Sequence, residues 1–275
     1  MPIIAMTREM GSLGKDVAAS VAEELKIPVI YHEIIDVLAD KMRVRKSHVV
    51  RLLDGQANIL ERLTADKTSM SIFTAAEICS LAASGPGAVF RGWGAVHILR
   101  DVPHAACVRV CAPFELRRRR IMERVQTEDA ALVEAEIRAS DEAQTAIVRR
   151  NFHTDWTDAS HYDLILNTER MAIPQCVDEI LRLVRSEPFA ETEASKQVLA
   201  DLALSAQIRA ALRSDPKTRS LKLTVSAERG RVTLTGIVGA SEIRSYAEKV
   251  AAQIRGATEV INSLRSTSDL RARFG

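Results

Sequence analysis

The sequence predicts an α/β protein in which a parallel sheet flanked by helices is followed by a small α+β module. Three observations support this fold class. Short apolar runs alternate with helical patterns over most of the chain. A polar, acidic stretch containing proline then spans residues 186–195. The strands predicted after that stretch alternate apolar and polar residues, which is typical of a sheet with one buried face.

The first strand, loop and helix lie within residues 3–25. Residues 3–6 are apolar throughout, as a strand buried on both faces requires. From Val17 to Leu25 apolar residues recur at helical spacing. The loop between them resembles the P-loop pattern GxxxxGK[ST], with Glu9 at the first glycine and Asp16 at the hydroxyl position. Two interpretations stay open, a phosphate-binding loop and an ordinary strand-to-helix turn.

A phosphate-binding loop would use the N-terminus of the helix that follows it. Backbone N–H groups at a helix N-terminus, together with the helix dipole, favour an anion. In this interpretation Lys15 adds a cation, and Asp16 is a candidate ligand for Mg²⁺. The predicted cradle consists of Gly11, Ser12, Leu13, Gly14, Lys15 and Asp16.

Three further apolar runs complete the predicted parallel sheet. Residues 88–90 follow a Gly-Pro-Gly turn, residues 106–110 follow Pro103, and residues 162–166 follow a polar loop. Four candidate strands separated by helical segments are typical of a parallel α/β sheet. Ligands of such sheets bind beyond the carboxyl ends of the strands, where the glycine loop is expected.

The C-terminal segment has a different order of elements. A helix is predicted over 196–212, a hairpin from strands 221–225 and 232–236, a second helix over 241–254 and a strand over 257–264. We therefore expect a domain at 1–185, a linker at 186–195 and a second domain at 196–275, with the two domains folding independently.

Composition excludes several classes of protein. The chain has 275 residues, 47% of them hydrophobic, and a net charge of +2, which disfavours a dedicated nucleic-acid binder. Its four cysteines show no metal-binding spacing, and burial is favoured for Cys107 and Cys111. We find neither a leader-like N-terminus nor an apolar run of membrane-spanning length, so the sequence predicts a cytoplasmic protein that is not transmembrane.

A run of arginines lies between the strands predicted at 106–110 and 162–166. Arg117, Arg120 and Arg124 share one helical face, whereas Arg118 and Arg119 point elsewhere. The run has two interpretations, a solvated surface and a lid that closes over phosphates. Aromatic residues do not interleave with it, which argues against nucleic-acid binding.

The sequence carries a resemblance to known families. The first 185 residues resemble the cytidylate kinase-like family, a branch of the nucleoside monophosphate kinases with P-loop folds. The last 75 residues are similar to a BON domain, through VTLTGIV and RGATEVIN. The stretches similar to the kinase family are, in order, TREMGSLGKDVA, IPVIYHEII, GWGAVHILRD, APFELRRRRIMERV, SDEAQ, and DW with YDLILNT.

The kinase resemblance implies a phosphotransferase that uses ATP and Mg²⁺ and takes a pyrimidine monophosphate such as CMP as acceptor. Arg8 and Arg91 stand where the acceptor phosphate would be met. The BON resemblance implies a lipid, a small ligand or a protein as a further partner. The catalytic residues implied are Lys15, Arg117, Arg120, Arg124 and Asp141, with Asp141 orienting a lid arginine.

Three departures from the family pattern support an alternative function. The family motif GRGA reads Gly-Trp-Gly-Ala here, with Trp93 at the arginine position. Tyr31 and His32 replace an Asp-Arg pair, and Gln144 replaces an arginine. Because lost cations reduce transition-state stabilisation, the alternative is a catalytically degenerate nucleotide-binding module with a regulatory role.

Overall fold

The computed structural model describes residues 1–47, 49, 66–92 and 94–267. The described residues form two compact units. Unit 1 is drawn from the ranges Met1–Ala65 and Gly85–Thr192, and unit 2 from Asp66–Ser84 and Glu193–Gly275. None of the helices within the described ranges combines the length and apolar character that a membrane crossing requires.

The secondary structure follows the predicted order of strands and helices, with additional elements. The described elements are β1 (Ile3–Arg8), α1 (Gly14–Leu25), β2 (Val29–Ile30), α2 (His32–Met42), α3 (Lys67–Ser84), β3 (Ala88–Arg91), α4 (Ala95–Leu99), β4 (Ala105–Cys111), α5 (Phe114–Val125), α6 (Ala130–Phe152), β5 (Leu164–Asn167), α7 (Ile173–Val184), α8 (Glu193–Ser214), β6 (Leu223–Glu228), β7 (Arg231–Val238), α9 (Ser241–Ala252) and β8 (Glu259–Ser266).

Unit 1 is built on the predicted parallel sheet. Its five described strands follow the order β2-β3-β1-β4-β5, and every neighbouring pair is parallel. Residues 3–6 of the central strand β1 are buried, as their apolar run predicts. Val17 and Val21 of α1 pack in one core with Val177 and Ile180 of α7. The loop after β1 therefore leaves the middle of the sheet and enters a helix anchored on both sides.

Unit 2 contains the predicted hairpin in a three-stranded mixed sheet. Strands β6 and β7 are antiparallel, whereas β7 and β8 are parallel. Arg229 and Gly230 at the hairpin turn have φ angles of 49° and 80°. Left-handed conformations at both turn positions match the twist of the strands that they connect. The inner sheet face packs against α8 and α9, as Leu234, Ile208 and Ala247 in one buried cluster show.

Helix α3 belongs to unit 2, although the sequence places it inside the first predicted domain. It packs against α8. The backbone N–H of Ser69 donates to Asp66 at 3.0 Å, and Arg213 of α8 donates to both carboxylate oxygens of Asp66 at 2.9 Å. The contact joins segments far apart in sequence, so no local pattern indicated it. The last boundary between the units along the chain, at residues 192 and 193, lies inside the range 186–195 that the sequence predicts as a linker.

Candidate functional site

The glycine loop between β1 and α1 is tightly packed. A Cβ at Gly14 would lie 2.6 Å from the Cβ of Arg8, and a Cβ at Gly11 would lie 2.8 Å from the carbonyl oxygen of Arg117. Gly11 also has a φ of 81°, and Leu13 a φ of 61°. Only glycine fits these close approaches without displacing backbone or neighbouring side chains. The loop therefore passes directly against both the end of β1 and the basic helix α5.

Ser12 maintains the shape of the loop from within. It is fully buried, and both its backbone N–H and its hydroxyl donate to the carbonyl oxygen of Glu9, at 3.2 and 2.8 Å. Its own carbonyl accepts a hydrogen bond from the Thr168 hydroxyl at 2.9 Å. The sequence predicts Ser12 as a phosphate-binding residue, and in the structure its hydroxyl makes a hydrogen bond within the loop.

The remaining predicted phosphate-binding groups are available to a ligand. Across the described ranges, the amides of Gly11, Leu13, Gly14 and Lys15 donate to no protein acceptor. Lys15 is exposed and has no ion-pair partner among the described residues. Free amides beside an ammonium at a helix N-terminus are the elements of an anion site.

Glu9 occupies the position of a P-loop glycine and is enclosed by donors. Its Oε1 accepts a hydrogen bond from Arg109 at 2.8 Å, and its Oε2 accepts one from the Ala112 amide at 3.1 Å. The Nε of Arg117 lies 3.5 Å from the same Oε2. The side chain of Glu9 is only 12% exposed. In the sequence Glu9 is visible only as a departure from the loop pattern, because its partners lie on distant segments.

Arg117 is buried in a pair with Asp141. Its two terminal nitrogens donate to the two carboxylate oxygens, at 3.1 and 2.8 Å. One of these nitrogens also lies 3.4 Å from the carbonyl oxygen of Met10 in the loop. A bidentate arginine–carboxylate pair fixes orientation as well as charge. Asp141 therefore holds one of the three predicted lid arginines against the loop.

The other two predicted lid arginines differ from each other. Arg120 donates to the Thr168 hydroxyl at 2.9 Å and to the Thr168 carbonyl at 2.7 Å. Burial and the neighbouring Arg119 lower the pKa of Arg120 below its usual value. Arg124 is exposed and unpaired in the part of the chain that the structure describes. Helix α5 is thus tied to the loop by Arg117 directly and by Arg120 through Thr168.

Arg109 is supported by the turn that contains Trp156. Its guanidinium lies 4.9 Å from the centre of the indole ring and donates to the carbonyl of Thr157 at 2.9 Å. The indole is 3% exposed and donates to the Thr145 hydroxyl at 2.9 Å. The buried indole of Trp156 therefore helps to position the guanidinium that binds Glu9.

The predicted acceptor residues lie at the carboxyl edge of the sheet. Arg91 ends β3, is 8% exposed, and stacks over the ring of Tyr31 at 4.0 Å. The side-chain stem of Arg8 lies against Gly14. Trp93, where the family pattern has an arginine, lies outside the described residues.

Asp16 is the metal-binding candidate of the loop. It is exposed in the first turn of α1, and its carboxylate makes no hydrogen bond or ion pair with the described residues. In the described ranges, no three His, Cys, Asp or Glu side chains come together as a metal site. Mg²⁺ commonly takes one or two carboxylates and completes its shell with phosphate oxygens and water. A lone carboxylate beside a phosphate loop fits that coordination.

Reactive thiols do not contribute to this site. Cys107 is buried and Cys111 is half-buried, in agreement with the burial that the sequence favours. Burial raises the pKa of the Cys107 thiol to about 12. A thiol with so high a pKa is protonated at neutral pH and is a poor nucleophile.

The fold and the loop define the class of protein. A parallel sheet whose central strand runs through a glycine loop into a helix is the architecture of P-loop kinases. The chain belongs to the cytidylate kinase-like family, whose model matches residues 3–170. A BON domain model matches residues 200–267.

Two solved structures are similar to this chain at low sequence identity. An uncharacterized protein from Eubacterium ventriosum has a TM-score of 0.53 and 21% identity, covering 68% of this chain and 100% of that chain. Shikimate kinase from Bacteroides thetaiotaomicron has a TM-score of 0.42 and 15% identity, covering 67% of this chain and 99% of its own. The similarity to the Eubacterium ventriosum protein supports the fold alone. The TM-score with the shikimate kinase is too low to support any inference. No curated protein sequence matches the chain significantly.

Proposed function

We propose that this protein is a nucleoside monophosphate kinase-like phosphotransferase that moves the γ-phosphate of ATP to a pyrimidine monophosphate such as CMP. The observation that carries the proposal is the exposed Lys15 beside the unpaired loop amides at the start of α1. Family membership over residues 3–170 supports a nucleotide as the anion. The pyrimidine acceptor follows from the family resemblance and awaits a substrate panel.

Each group near the loop has a physical task in this function. Phosphoryl transfer depends on positioning and on neutralising spread negative charge. The amides of residues 11 and 13–15 and the Lys15 ammonium bind the donor phosphates. Arg124 supplies a further cation, whereas Arg117 and Arg120 set the position of α5. Asp16 would hold Mg²⁺, which would supply positive charge against the nucleotide phosphates.

The acceptor side relies on arginines at the sheet edge. Arg91 and Arg8 end the neighbouring strands β3 and β1, whose residues Met6 and Arg91 are register partners. Guanidinium groups bind phosphate through paired hydrogen bonds, so these side chains are suited to a monophosphate. We expect Asp141 to act by orienting Arg117, since the two form a bidentate pair.

A second candidate function is a catalytically degenerate nucleotide-binding module. It is favoured by Gln144 in the place of a family arginine and by Arg117, whose charge is already matched by Asp141. In this case the BON-like segment would make the functional contact, with a lipid, a small ligand or a protein. Nucleotide binding to the loop would then regulate that contact.

Isothermal titration of Mg-ATP with wild type and Lys15→Ala tests the loop assignment. Losing a cation that contacts phosphate should weaken binding by about 10–100-fold. Lys222→Ala is the control, because it removes the same charge from an exposed position of unit 2. Unchanged affinity in Lys15→Ala would reject the loop as the nucleotide site.

Coupled turnover with a panel of nucleoside monophosphates separates the two candidate functions. The kinase proposal predicts turnover with a pyrimidine monophosphate that exceeds turnover with purine monophosphates. Mg-ATP binding without turnover on any acceptor would instead support the degenerate module.

A further inference from the structure

Glu9 is a negative charge placed within a loop that is suited to anions. By itself a carboxylate there would repel a polyphosphate. The structure compensates it with the guanidinium of Arg109 at 2.8 Å and that of Arg117 at 3.5 Å. Both carboxylate oxygens are occupied, one by Arg109 and the other by the Ala112 amide. The side chain is thus committed to protein partners and has no oxygen left without one.

The backbone of Glu9 fixes the loop at two more points. Its N–H donates to the carbonyl of Val110 at 3.1 Å, which extends the pairing of β1 with β4. Its carbonyl accepts both hydrogen bonds of Ser12, at 3.2 and 2.8 Å. One residue therefore connects the end of β4 with the turn that precedes the free amides.

The guanidinium of Arg109, which pairs with Glu9, is itself held in place by other contacts. Arg109 stacks on Trp156 and donates to the Thr157 carbonyl, so its guanidinium is oriented by contacts other than the one with Glu9. Arg117 is oriented by Asp141 in the same way. Guanidinium groups that are already oriented lower the entropy cost of ordering the loop against them.

We propose that Glu9 is a positioning residue of the phosphate loop, whose carboxylate fixes residues 9–12 in the shape that leaves the amides of Gly11 and residues 13–15 free for a nucleotide phosphate. The inference rests on the proposed nucleotide-binding function. A positioning role and simple electrostatics predict opposite changes in Mg-ATP affinity when the charge of Glu9 is removed. Removal of a negative charge near a phosphate site strengthens binding if charge alone matters, whereas removal of a positioning group weakens it.

The test is Mg-ATP titration and acceptor kinetics with Glu9→Gln. This variant keeps the size of the side chain and neutralises it. We expect the Kd for Mg-ATP to rise at least about tenfold, as the loss of charge-assisted hydrogen bonds predicts, while the acceptor KM stays within twofold. Amide hydrogen exchange at residues 9–14 should become faster. An unchanged or lower Kd would overturn the inference.

Glu115→Gln is the matched control. It makes the same substitution on α5, but its carboxylate is 70% exposed and pairs with Arg118 within the helix. We expect its Kd for Mg-ATP to stay within twofold of wild type. A rise equal to that of Glu9→Gln would show a general effect of charge and would overturn the positioning role.

A double-mutant comparison tests the partnership with Arg109. Arg109→Gln should weaken Mg-ATP binding. The double variant should bind Mg-ATP no more weakly than the single variant with the lower affinity, because both substitutions remove the same interaction between Glu9 and Arg109. Fully additive losses would overturn the pairing. Glu9→Asp keeps the charge but shortens the side chain, so partial recovery relative to Glu9→Gln is expected.

The results also distinguish this inference from the proposed function. If wild type binds Mg-ATP, Lys15→Ala loses it and Glu9→Gln retains it, the positioning role alone fails. If wild type does not bind Mg-ATP, the proposed function and the inference that rests on it fail together.

Discussion

Lys15 and Glu9 carry opposite charges in one loop and differ in what surrounds them. Lys15 is exposed without a described ion-pair partner, whereas Glu9 is enclosed by Arg109 and Arg117. The first group can meet a ligand, and the second is used by the protein. At the residue scale, the partners of each charge therefore show whether it is available to a ligand or is used to shape the loop.

His97 gives a residue-scale prediction about pH. Its ring stacks on Phe152, with ring centres 4.9 Å apart, and lies 5.0 Å from the ring of His161. Burial, together with the positive charges of His161 and Arg100, lowers the pKa of His97 from 6.5 to about 4. The folded protein therefore disfavours the protonated form. The unfolded chain binds this proton more readily, so stability is lost as pH falls from 6.5 toward 4.

His97→Asn should make stability less sensitive to pH in that window. Allowing for partial exposure, we expect the loss of unfolding free energy between neutral pH and pH 4 to shrink by about 1–2 kcal/mol. Urea unfolding at a series of pH values measures this. His153→Asn makes the same substitution at an exposed helix end and is the control for the substitution itself. If the unfolding free energy of His97→Asn fell with pH as steeply as that of wild type, the prediction would be contradicted.

At the scale of elements, α5 is fixed to the loop at two positions one helical turn apart. Arg117 contacts the loop and Asp141, and Arg120 contacts Thr168, which in turn bonds to Ser12. The sequence correctly placed the arginines on one helical face. It could not show that two of them are occupied, because their partners come from α6 and from the segment after β5.

The start of α3 gives a prediction at the same scale. Asp66 caps the helix by accepting from the Ser69 amide, and it pairs with Arg213 with about half of its side chain exposed. Asp66→Ala should cost about 1 kcal/mol of unfolding free energy, since it removes the cap. Asp66→Asn keeps a capping oxygen and loses only an exposed ion pair, so a few tenths of a kcal/mol are expected. Urea unfolding of both variants checks this, and equal losses would reject the cap as the main contribution.

Local patterns predicted the regular elements well. Strands β1, β3, β4 and β5 and the hairpin of unit 2 lie where apolar runs and alternation predict them. Strand β2 has two residues, too few for any period. The placement of α3 depends on α8, and Ser69 and Arg213, which join them, are 144 positions apart. Contacts over such separations leave no periodic signal in the sequence.

The candidate site also has a part that local sequence patterns predict and a part that depends on distant contacts. Gly11, Gly14 and Lys15 were identified from spacing alone, since the loop geometry is local. The cluster of Glu9, Arg109 and Arg117 was not, because β1, β4 and α5 bring it together. A buried acid in a phosphate loop is recognisable only once its cationic partners are known.

At the scale of the whole molecule, unit 2 is assembled from two separate stretches of chain. The BON model matches residues 200–267 and does not include α3. Residues such as Met70, Phe73 and Cys79 of α3 are buried, and α3 packs against α8. A fragment that begins after residue 192 therefore lacks a helix that covers apolar surface.

We expect residues 193–275 alone to be less stable than the same residues fused, through a flexible linker, to residues 66–84. Thermal unfolding of the two proteins should show a higher midpoint for the fusion. A fusion that carries Phe73→Asp is the control, since a charge at a buried position should remove the gain. Equal midpoints for the fragment and the unmodified fusion would show that α3 contributes no stability, and would favour the independent folding of 196–275 that the sequence predicts.

The route of the chain through α3 has a consequence for how such proteins arise. A gene segment encoding only the last third of the sequence does not carry everything that its product packs against. Duplication or shuffling of that segment into another gene would leave one helix behind in the donor. The two stretches that form unit 2, residues 66–84 and 193–275, are therefore expected to be inherited together.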